Sequence, residues 1–220
     1  MACEQASLHL CALRQGRCDA NEAKYERKRE MTEPSADEKP TPAMEFVDQI
    51  RSLKERDRGR LAVLKRNAGN TISEAHGVAW IYGLIARQDR AAPDETLFLV
   101  ASLLASDKAA LDGNQFRGNF GLTLGLLKSR PDVSDAAIDR RFAILLDAEF
   151  DPSVGGGELP FRLRQMVKLI SSKGSIYIDW PQLITDLRSW DHASKFVQKR
   201  WAKSYYAPAT PNTEEIDNAH

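Results

Sequence analysis

The clearest helical period in the chain lies in residues 159–172, LPFRLRQMVKLISS. Four apolar residues recur there at intervals of three and four: Leu163, Met166, Val167 and Ile170. This spacing places them on one face of an α-helix, and Gly174 follows as a helix-terminating residue. Arg164 and Lys168, four residues apart, then share an outward face. The stretch therefore predicts an amphipathic helix with a basic exposed side.

The same period extends on both sides of this stretch. Further apolar stripes are Phe46/Val47/Ile50/Leu53, Leu61/Leu64, Val78/Ile81/Tyr82/Ile85, Leu122/Leu124/Leu126/Leu127, Ile138/Phe142/Leu145/Leu146 and Val197/Trp201/Tyr205. Predicted helix starts are the caps Asp57, Ser73, Ser134 and Asp179 and the sequence Pro93-Asp94-Glu95, whose helix runs through Leu104. The first helix is predicted to break at Gly59, and the helix that carries Leu122 to Leu127 is predicted to stop near Pro131. The helix capped by Asp179 is predicted to run through Trp190, and the last helix from about His192 to Tyr206.

These patterns predict an all-α fold, a compact helical bundle of about eight to nine helices. Ile176-Tyr177-Ile178 resembles a strand, but three isolated residues cannot form a sheet. The glycine loop Val154-Gly-Gly-Gly157 marks a candidate seam near residues 151–158, which would divide the bundle into two lobes.

Both ends of the chain are expected to lie outside the fold. Residues 1–42 form a predicted disordered extension, residues 43–207 the helical domain, and residues 208–220 a disordered acidic tail. The three cysteines, Cys3, Cys11 and Cys18, have no partner in the domain, which indicates no disulfide framework and a cytoplasmic protein. Residues 1–30 are hypothesised to be a start-site extension before Met31; a Cys11 peptide in the native protein would contradict this.

Formal charge sums to zero, with 31 Lys and Arg against 31 Asp and Glu, which excludes a polycationic nucleic-acid binder. The charges are unevenly distributed, however. Residues 43–207 carry 24 basic and 20 acidic groups, whereas residues 208–220 carry three acids and no Lys or Arg. The distribution of cations within the domain is therefore more informative than the total.

Catalytic motifs are missing from the sequence of the domain, which has no cysteine and two histidines, His76 and His192. The glycines of Gly118-Asn-Phe-Gly121 lack the preceding strand of a dinucleotide-binding loop, and close helix packing explains them better. Carboxylates are dispersed, without the clustering of a two-metal site. We expect no catalytic residue, no metal and no cofactor.

Basic residues, in contrast, gather on helix faces. Twelve are candidates for contact with nucleic acid: Arg58, Lys65, Arg66, Lys128, Arg130, Arg140, Arg141, Arg164, Lys168, Lys195, Lys199 and Lys203. A sugar–phosphate backbone complements several one-signed faces. For any single lysine, solvation is the better explanation; Lys128 and Arg130 are also explained by a helix C-terminus, and Arg141 by pairing with an acid. Trp180, Trp190 and Trp201 occupy core positions, which favours phosphate contacts over base stacking.

Several of these segments, taken in order over residues 45–206, resemble the CasB family. They are Val47-Asp-Gln-Ile-Arg-Ser-Leu53, Arg58-Gly-Arg-Leu-Ala-Val-Leu-Lys-Arg66, Asn119-Phe-Gly-Leu-Thr-Leu-Gly-Leu-Leu127, Asp139-Arg-Arg-Phe-Ala-Ile-Leu-Leu146, Leu163-Arg-Gln-Met-Val-Lys-Leu-Ile170 and, most specifically, Asp179-Trp-Pro-Gln-Leu-Ile-Thr-Asp-Leu-Arg-Ser-Trp190 with Val197-Gln-Lys-Arg-Trp-Ala-Lys-Ser-Tyr-Tyr206. Residues 89–117 match poorly, so Arg117 is only a weak candidate.

The CasB family is the small subunit of the type I-E CRISPR surveillance complex, Cascade. The resemblance implies an all-α, non-catalytic subunit, present in two copies, whose partners are the crRNA, target DNA, the displaced DNA strand, other Cascade subunits and a second copy of itself. It implies basic contacts at Lys65, Arg66, Arg140, Arg141 and Arg164, whereas Lys195, Lys199 and Lys203 rest on the helical spacing.

Two other functions are compatible with the residues. A protein-binding scaffold would use the helix faces for partner proteins, for which acids between residues 89 and 112 are available. A helix-turn-helix regulator would concentrate its cations in one recognition helix, whereas these cations are spread over several segments.

Overall fold

The computed structural model describes residues 40–88, 91–112, 116–174 and 176–207, and ten α-helices lie in these ranges. They are α1 (Pro42–Arg56), α2 (Arg58–Arg66), α3 (Tyr82–Ile85), α4 (Asp94–Ser106), α5 (Lys108–Leu111), α6 (Phe120–Lys128), α7 (Asp135–Asp147), α8 (Leu159–Lys173), α9 (Trp180–Leu187) and α10 (Phe196–Tyr206). The all-α prediction is confirmed. Residues 1–39 and 208–220, which hold most of the predicted extension and the acidic tail, lie outside the described residues.

Helix α4 forms the centre of the fold. Eleven of its residues, from Glu95 to Ala105, are buried, because its sequence is apolar on all sides rather than on one stripe. It packs against α1, α2, α8 and α9, whose own stripes face it. Apart from α6, whose sequence is also apolar on nearly all sides, the remaining long helices are amphipathic and place polar residues outward.

Most predicted stripes and several caps are confirmed. Every member of the stripe that defines α8 is buried, and the helix ends at Gly174, whose φ of 60° suits glycine. Asp57 caps α2 by accepting a hydrogen bond from the Arg60 backbone N–H at 2.9 Å. Asp179 caps α9 in the same way, accepting from the Gln182 backbone N–H at 2.9 Å.

Several predicted boundaries are wrong. Ser73 caps no helix: a 3₁₀ turn (Ala79–Ile81) leads into the four-residue α3, and Tyr82 is exposed rather than inward. The break after α1 falls at Asp57, which leaves Gly59 inside α2. Helix α9 ends at Leu187 instead of Trp190, and α10 begins at Phe196 instead of His192, because the intervening residues form turns.

The strand-like segment at residues 176–178 forms no sheet in the described ranges, as the sequence predicts. Ile176 and Ile178 are buried but no ladder forms within the described residues, and the Tyr177 carbonyl accepts a hydrogen bond from Thr123 Oγ1 at 3.2 Å. A hydrogen bond to a side chain of α6 therefore replaces strand pairing. The four-residue α3 is the α-helical part of the helix predicted after Ser73, and the four-residue α5 is not predicted by the sequence pattern; the other eight α-helices correspond to predicted ones.

Helices α6 and α10 pack unusually closely, as the glycines of α6 predict. A Cβ on Gly121 would lie 2.1 Å from the backbone oxygen of Trp201. The Asn119 side chain caps α6 and also donates to Ser204 Oγ at 2.7 Å, which fixes the two helices along their axes. Among the described helices, none has the length and apolar character needed to cross a lipid bilayer.

Candidate nucleic-acid interface

The twelve predicted cations lie on or beside α2, α6, α7, α8 and α10. Ten are exposed: Arg58, Lys65, Arg66, Arg140, Arg141, Arg164, Lys168, Lys195, Lys199 and Lys203. Lys128 and Arg130, at the end of α6, are partly buried. The set therefore divides into cations that face solvent and cations that are engaged in the fold.

Lys128 belongs to a three-residue cluster that joins α6, α7 and α10. Its Nζ lies 2.7 Å from Asp139 Oδ1, and the Tyr205 hydroxyl donates to the same oxygen at 2.6 Å. Hydrogen bonds from Lys128 and then from Tyr205 lower the pKa of Asp139, while the Asp139 partner raises the pKa of Lys128. A phosphate at Lys128 would have to compete with this carboxylate.

Arg130 is likewise held by an ion pair and hydrogen bonds within the fold. Its Nε donates to Asp132 Oδ1 at 3.0 Å, and Lys173 Nζ lies 3.0 Å from the other oxygen of that carboxylate. Hydrogen bonds from Arg130 and then Lys173 lower the pKa of Asp132 to about 2. The Gly174 carbonyl accepts a further bond from Arg130 at 3.3 Å. Arg130 thus connects the end of α6 to the end of α8.

The ten exposed cations, unlike Lys128 and Arg130, have no acidic partner in the described ranges. Within the part of the chain that the structure describes, none of the ten makes an ion pair, and nine of them make no side-chain hydrogen bond either: Lys65, Arg66, Arg140, Arg141, Arg164, Lys168, Lys195, Lys199 and Lys203. Arg58 makes a long hydrogen bond, 3.4 Å, from Nε to the Lys54 carbonyl. Arg141, which the sequence places near the apolar stripe of α7, is exposed and pairs with no acid in the described ranges. These side chains are available to an anionic partner.

The structure places Arg164 of α8 against the loop that follows α2. A Cβ on Gly69 would lie 3.0 Å from Cδ and 3.3 Å from Cβ of Arg164, so the Arg164 stem rests on the loop that follows α2. Gly69 adopts φ 82°, which favours glycine and permits this close approach. Lys65 and Arg66 end α2 four and three residues before this contact.

The α10 cations are oriented by a buried acid on α9. Asp186 is fully buried; its Oδ2 accepts from Trp201 Nε1 at 2.5 Å, and its Oδ1 accepts from Gln182 at 2.7 Å and from Arg200. Burial raises the pKa of Asp186 despite these donors. With Val197, Trp201 and Tyr205 facing inward, Lys199 and Lys203 must face solvent. Lys195 precedes the helix in the left-handed conformation, with φ 48°.

The tryptophans are buried as predicted, but other aromatic rings are exposed. Trp180, Trp190 and Trp201 are at most 2% exposed. Phe161 is 53% exposed, Phe196 41% and Tyr206 62%, and sequence reasoning missed all three. Phe161 lies three residues before Arg164 and off the apolar stripe of α8, which is a signal that the sequence already contains. Arg117, the weak candidate, is partly buried; burial raises the pKa of Asp179, and the charge of Arg117 opposes this rise without reversing it.

Metal ligands do not cluster in the described ranges, since no three His, Cys, Asp or Glu side chains come together there as a metal ion would require. A shallow acidic pocket lies beside the glycine loop, lined by Glu149, Asp151 and Asp191 with Phe150, Gly156 and Gly157. Its charge is opposite to that of the basic faces. The exposed unpaired cations are thus the chemically distinctive feature of the described surface.

Comparison with known proteins gives a consistent result. The family model of CRISPR-associated protein Cse2 matches residues 60–206. CRISPR-associated protein Cse2 of Thermus thermophilus is 28% identical over 179 residues, which cover 80% of this chain and 96% of that protein. The crystal structure of M. ruber CasB is similar at a TM-score of 0.60 and 32% identity, covering 76% of this chain and 94% of that one. A chain of a CRISPR RNA-guided surveillance complex has the same fold, with a TM-score of 0.63 at 21% identity, over 75% of this chain and 91% of that one.

Proposed function

The chain belongs to the CRISPR-associated Cse2 family, and from this membership we propose that it is a non-catalytic small subunit of a Cascade-type RNA-guided DNA surveillance complex. In this proposal it binds nucleic-acid backbone without reading sequence, supports the crRNA–target duplex and holds the displaced DNA strand. Its partners are the crRNA, both DNA strands, other Cascade subunits and a second copy of itself.

One observation carries the proposal: nine exposed candidate cations that make neither an ion pair nor a side-chain hydrogen bond in the described ranges lie on or beside α2, α7, α8 and α10. Eight other cations in the described ranges pair with acids, as Lys128 does with Asp139, whereas these nine do not. Phosphates would supply the missing counter-charges, and their neutralisation releases condensed ions whatever the sequence. The spread over several helices disfavours a helix-turn-helix regulator, whose contacts gather on one helix.

The energetics of strand exchange give such contacts a role. An RNA–DNA heteroduplex is about as stable as the DNA duplex that it replaces, so backbone contacts can decide which one persists. A basic surface that holds the displaced strand would slow its reannealing. With roughly six to ten phosphates neutralised, binding would weaken by roughly 10³- to 10⁵-fold between about 50 and 200 mM salt.

The test is the double charge reversal Arg164→Glu with Lys168→Glu in the assembled complex. Both side chains are exposed and lie off the buried stripe of α8, so the variant should fold. We expect the R-loop to dissociate faster than in the wild-type complex, and the difference to shrink as salt rises, because salt screens the lost contacts.

The matched control is Arg87→Glu with Lys108→Glu, which makes the same change in charge at two exposed cations outside the candidate set. Equal R-loop lifetimes for the double reversal and this control would refute the proposal. Normal R-loop lifetimes together with loss of the subunit from the complex would instead favour a protein-binding scaffold.

A further inference from the structure

An aromatic ring lies exposed on the basic side of α8. Phe161 is 53% exposed, although a phenylalanine ring is usually buried. Burial was not available to it, because the inward stripe of α8 is filled by Leu163, Met166, Val167 and Ile170. Its exposure follows from its register on the helix rather than from an irregular loop.

The ring is aligned with cations along one helix face. Arg164 follows at three residues and Lys168 at seven, which is the spacing of one face, and both are exposed. At a rise of 1.5 Å per residue they lie roughly 4.5 and 10 Å further along the axis. Arg162 lies with its guanidinium 5.5 Å from the centroid of the Phe161 ring, and the adjacent Glu158 is neutralised by Arg162 at 3.0 Å. No acid occurs between residues 159 and 178.

We propose that Phe161 is a stacking platform for an unpaired nucleobase, with Arg164 and Lys168 contacting the phosphates of the same strand. The inference rests on the proposed function and extends it: this face would prefer single-stranded DNA, because a base within a duplex cannot offer its π-face to a side chain. Every base has such a face, so the contact does not depend on sequence. The opposite charges of the cations and phosphates orient the strand along the helix.

Base contact at this site contrasts with the expectation from sequence, which favours phosphate contacts alone because the tryptophans are buried. An exposed aromatic ring can stack on a base but contributes nothing to phosphate binding. A surface that bound only phosphates would gain nothing from a half-exposed phenylalanine beside these cations.

The test uses the full chain and a fluorescent single-stranded oligo-dT, with binding measured by anisotropy at about 50 mM salt, where phosphate contacts are strong. Phe161→Ala should weaken binding by roughly 5- to 150-fold, the range for loss of one stacked base. The slope of log affinity against log salt should stay unchanged, because no phosphate contact is lost. Phe161→Tyr should restore wild-type affinity, and an abasic strand of equal length should bind the wild type and Phe161→Ala equally.

The control Tyr82→Ala removes a ring that is also about half exposed, 48%, on α3, which carries none of the candidate cations. It should leave the affinity for oligo-dT unchanged. If Phe161→Ala binds oligo-dT as the wild type does, while Arg164→Glu with Lys168→Glu weakens binding and lowers the salt slope, stacking is refuted and the proposed function stands. If none of the variants changes binding, or the wild type does not bind, both are refuted. An effect of Phe161→Ala on subunit assembly alone would indicate a protein contact and would also overturn the inference.

Discussion

The contact between α6 and α10 provides a sharp test of the fold, through the substitution Gly121→Ala. A Cβ at this position would lie 2.1 Å from the Trp201 backbone oxygen and 2.7 Å from its backbone carbon and Cα. Unstrained carbon contacts lie at about 3.5–4.0 Å. Because the obstructing atoms are backbone, no side-chain rotation can relieve the clash, and the two helices must move apart by roughly 1 Å or more.

The expected magnitude combines two opposing effects. Inserting a methyl group into a well-packed contact costs about 1–3 kcal/mol of stability. Because the clash is with backbone atoms, we expect a cost of about 3 kcal/mol or more. Replacing glycine by alanine inside a helix returns about 1 kcal/mol. We therefore expect Gly121→Ala to lower the free energy of unfolding by about 2 kcal/mol, which corresponds to a fall in Tm of roughly 4–8 °C for a chain of this size.

The chain offers a matched control one helical turn away. A Cβ on Gly125 would lie 3.3 Å from the Tyr205 carbonyl oxygen, so a shift of a few tenths of an ångström accommodates it. Gly125→Ala should therefore remain within about 1 kcal/mol of the wild type, since the helix-propensity gain offsets the small strain. Urea denaturation followed by circular dichroism measures both variants. If Gly121→Ala is as stable as Gly125→Ala, α6 and α10 are not packed as described.

Three further substitutions test buried or open positions, each by urea denaturation. Asp186→Ala should lose about 1–3 kcal/mol because it leaves the buried Trp201 N–H unpaired, and Asp186→Asn, which keeps an acceptor, should lose less; equal losses would contradict the hydrogen-bond role. Glu95 is buried with its carboxylate accepting from the Ile72 N–H at 2.8 Å, and burial raises its pKa. Glu95→Gln should therefore be more stable than the wild type near neutral pH, and the advantage should disappear as the pH falls through the raised pKa, because the wild-type carboxyl is then also neutral; a pH-independent difference would argue against this cause. Gly83→Ala should gain about 0.4–1 kcal/mol, because a Cβ there meets nothing within 4 Å in α3; a loss would show that the position is not open.

Sequence periodicity predicted the buried faces and the caps of helices correctly where these depend only on residues a few positions apart. The stripes of α7 and α8 face inward as predicted, and Asp57 and Asp179 cap their helices. Both kinds of signal lie within a few residues along the chain, so they do not depend on the rest of the fold. The prediction of a helix after Ser73 is wrong, because a 3₁₀ turn and a four-residue helix are too short to show a distinctive helical period in the sequence.

The candidate surface was only partly predictable. Spacing alone could place Arg164 and Lys168 on the outer side of α8, and Lys199 and Lys203 on that of α10. It could not show that Lys128 is engaged by Asp139, because the two residues are brought together by the packing of α6 on α7. The domain limits and the candidate seam at residues 151–158 stay predictions.

By itself, the sequence determined the helical class, the inward stripes and the family resemblance, since all three are encoded in short-range patterns. Only the tertiary structure decided which cations remain without acidic partners, and that Arg164 rests against the loop after α2 at Gly69. The physical reason is that pairing and exposure depend on which helices meet. That outcome is set by long-range packing around α4 and by contacts such as the one between Gly121 and Trp201, which no local pattern reports.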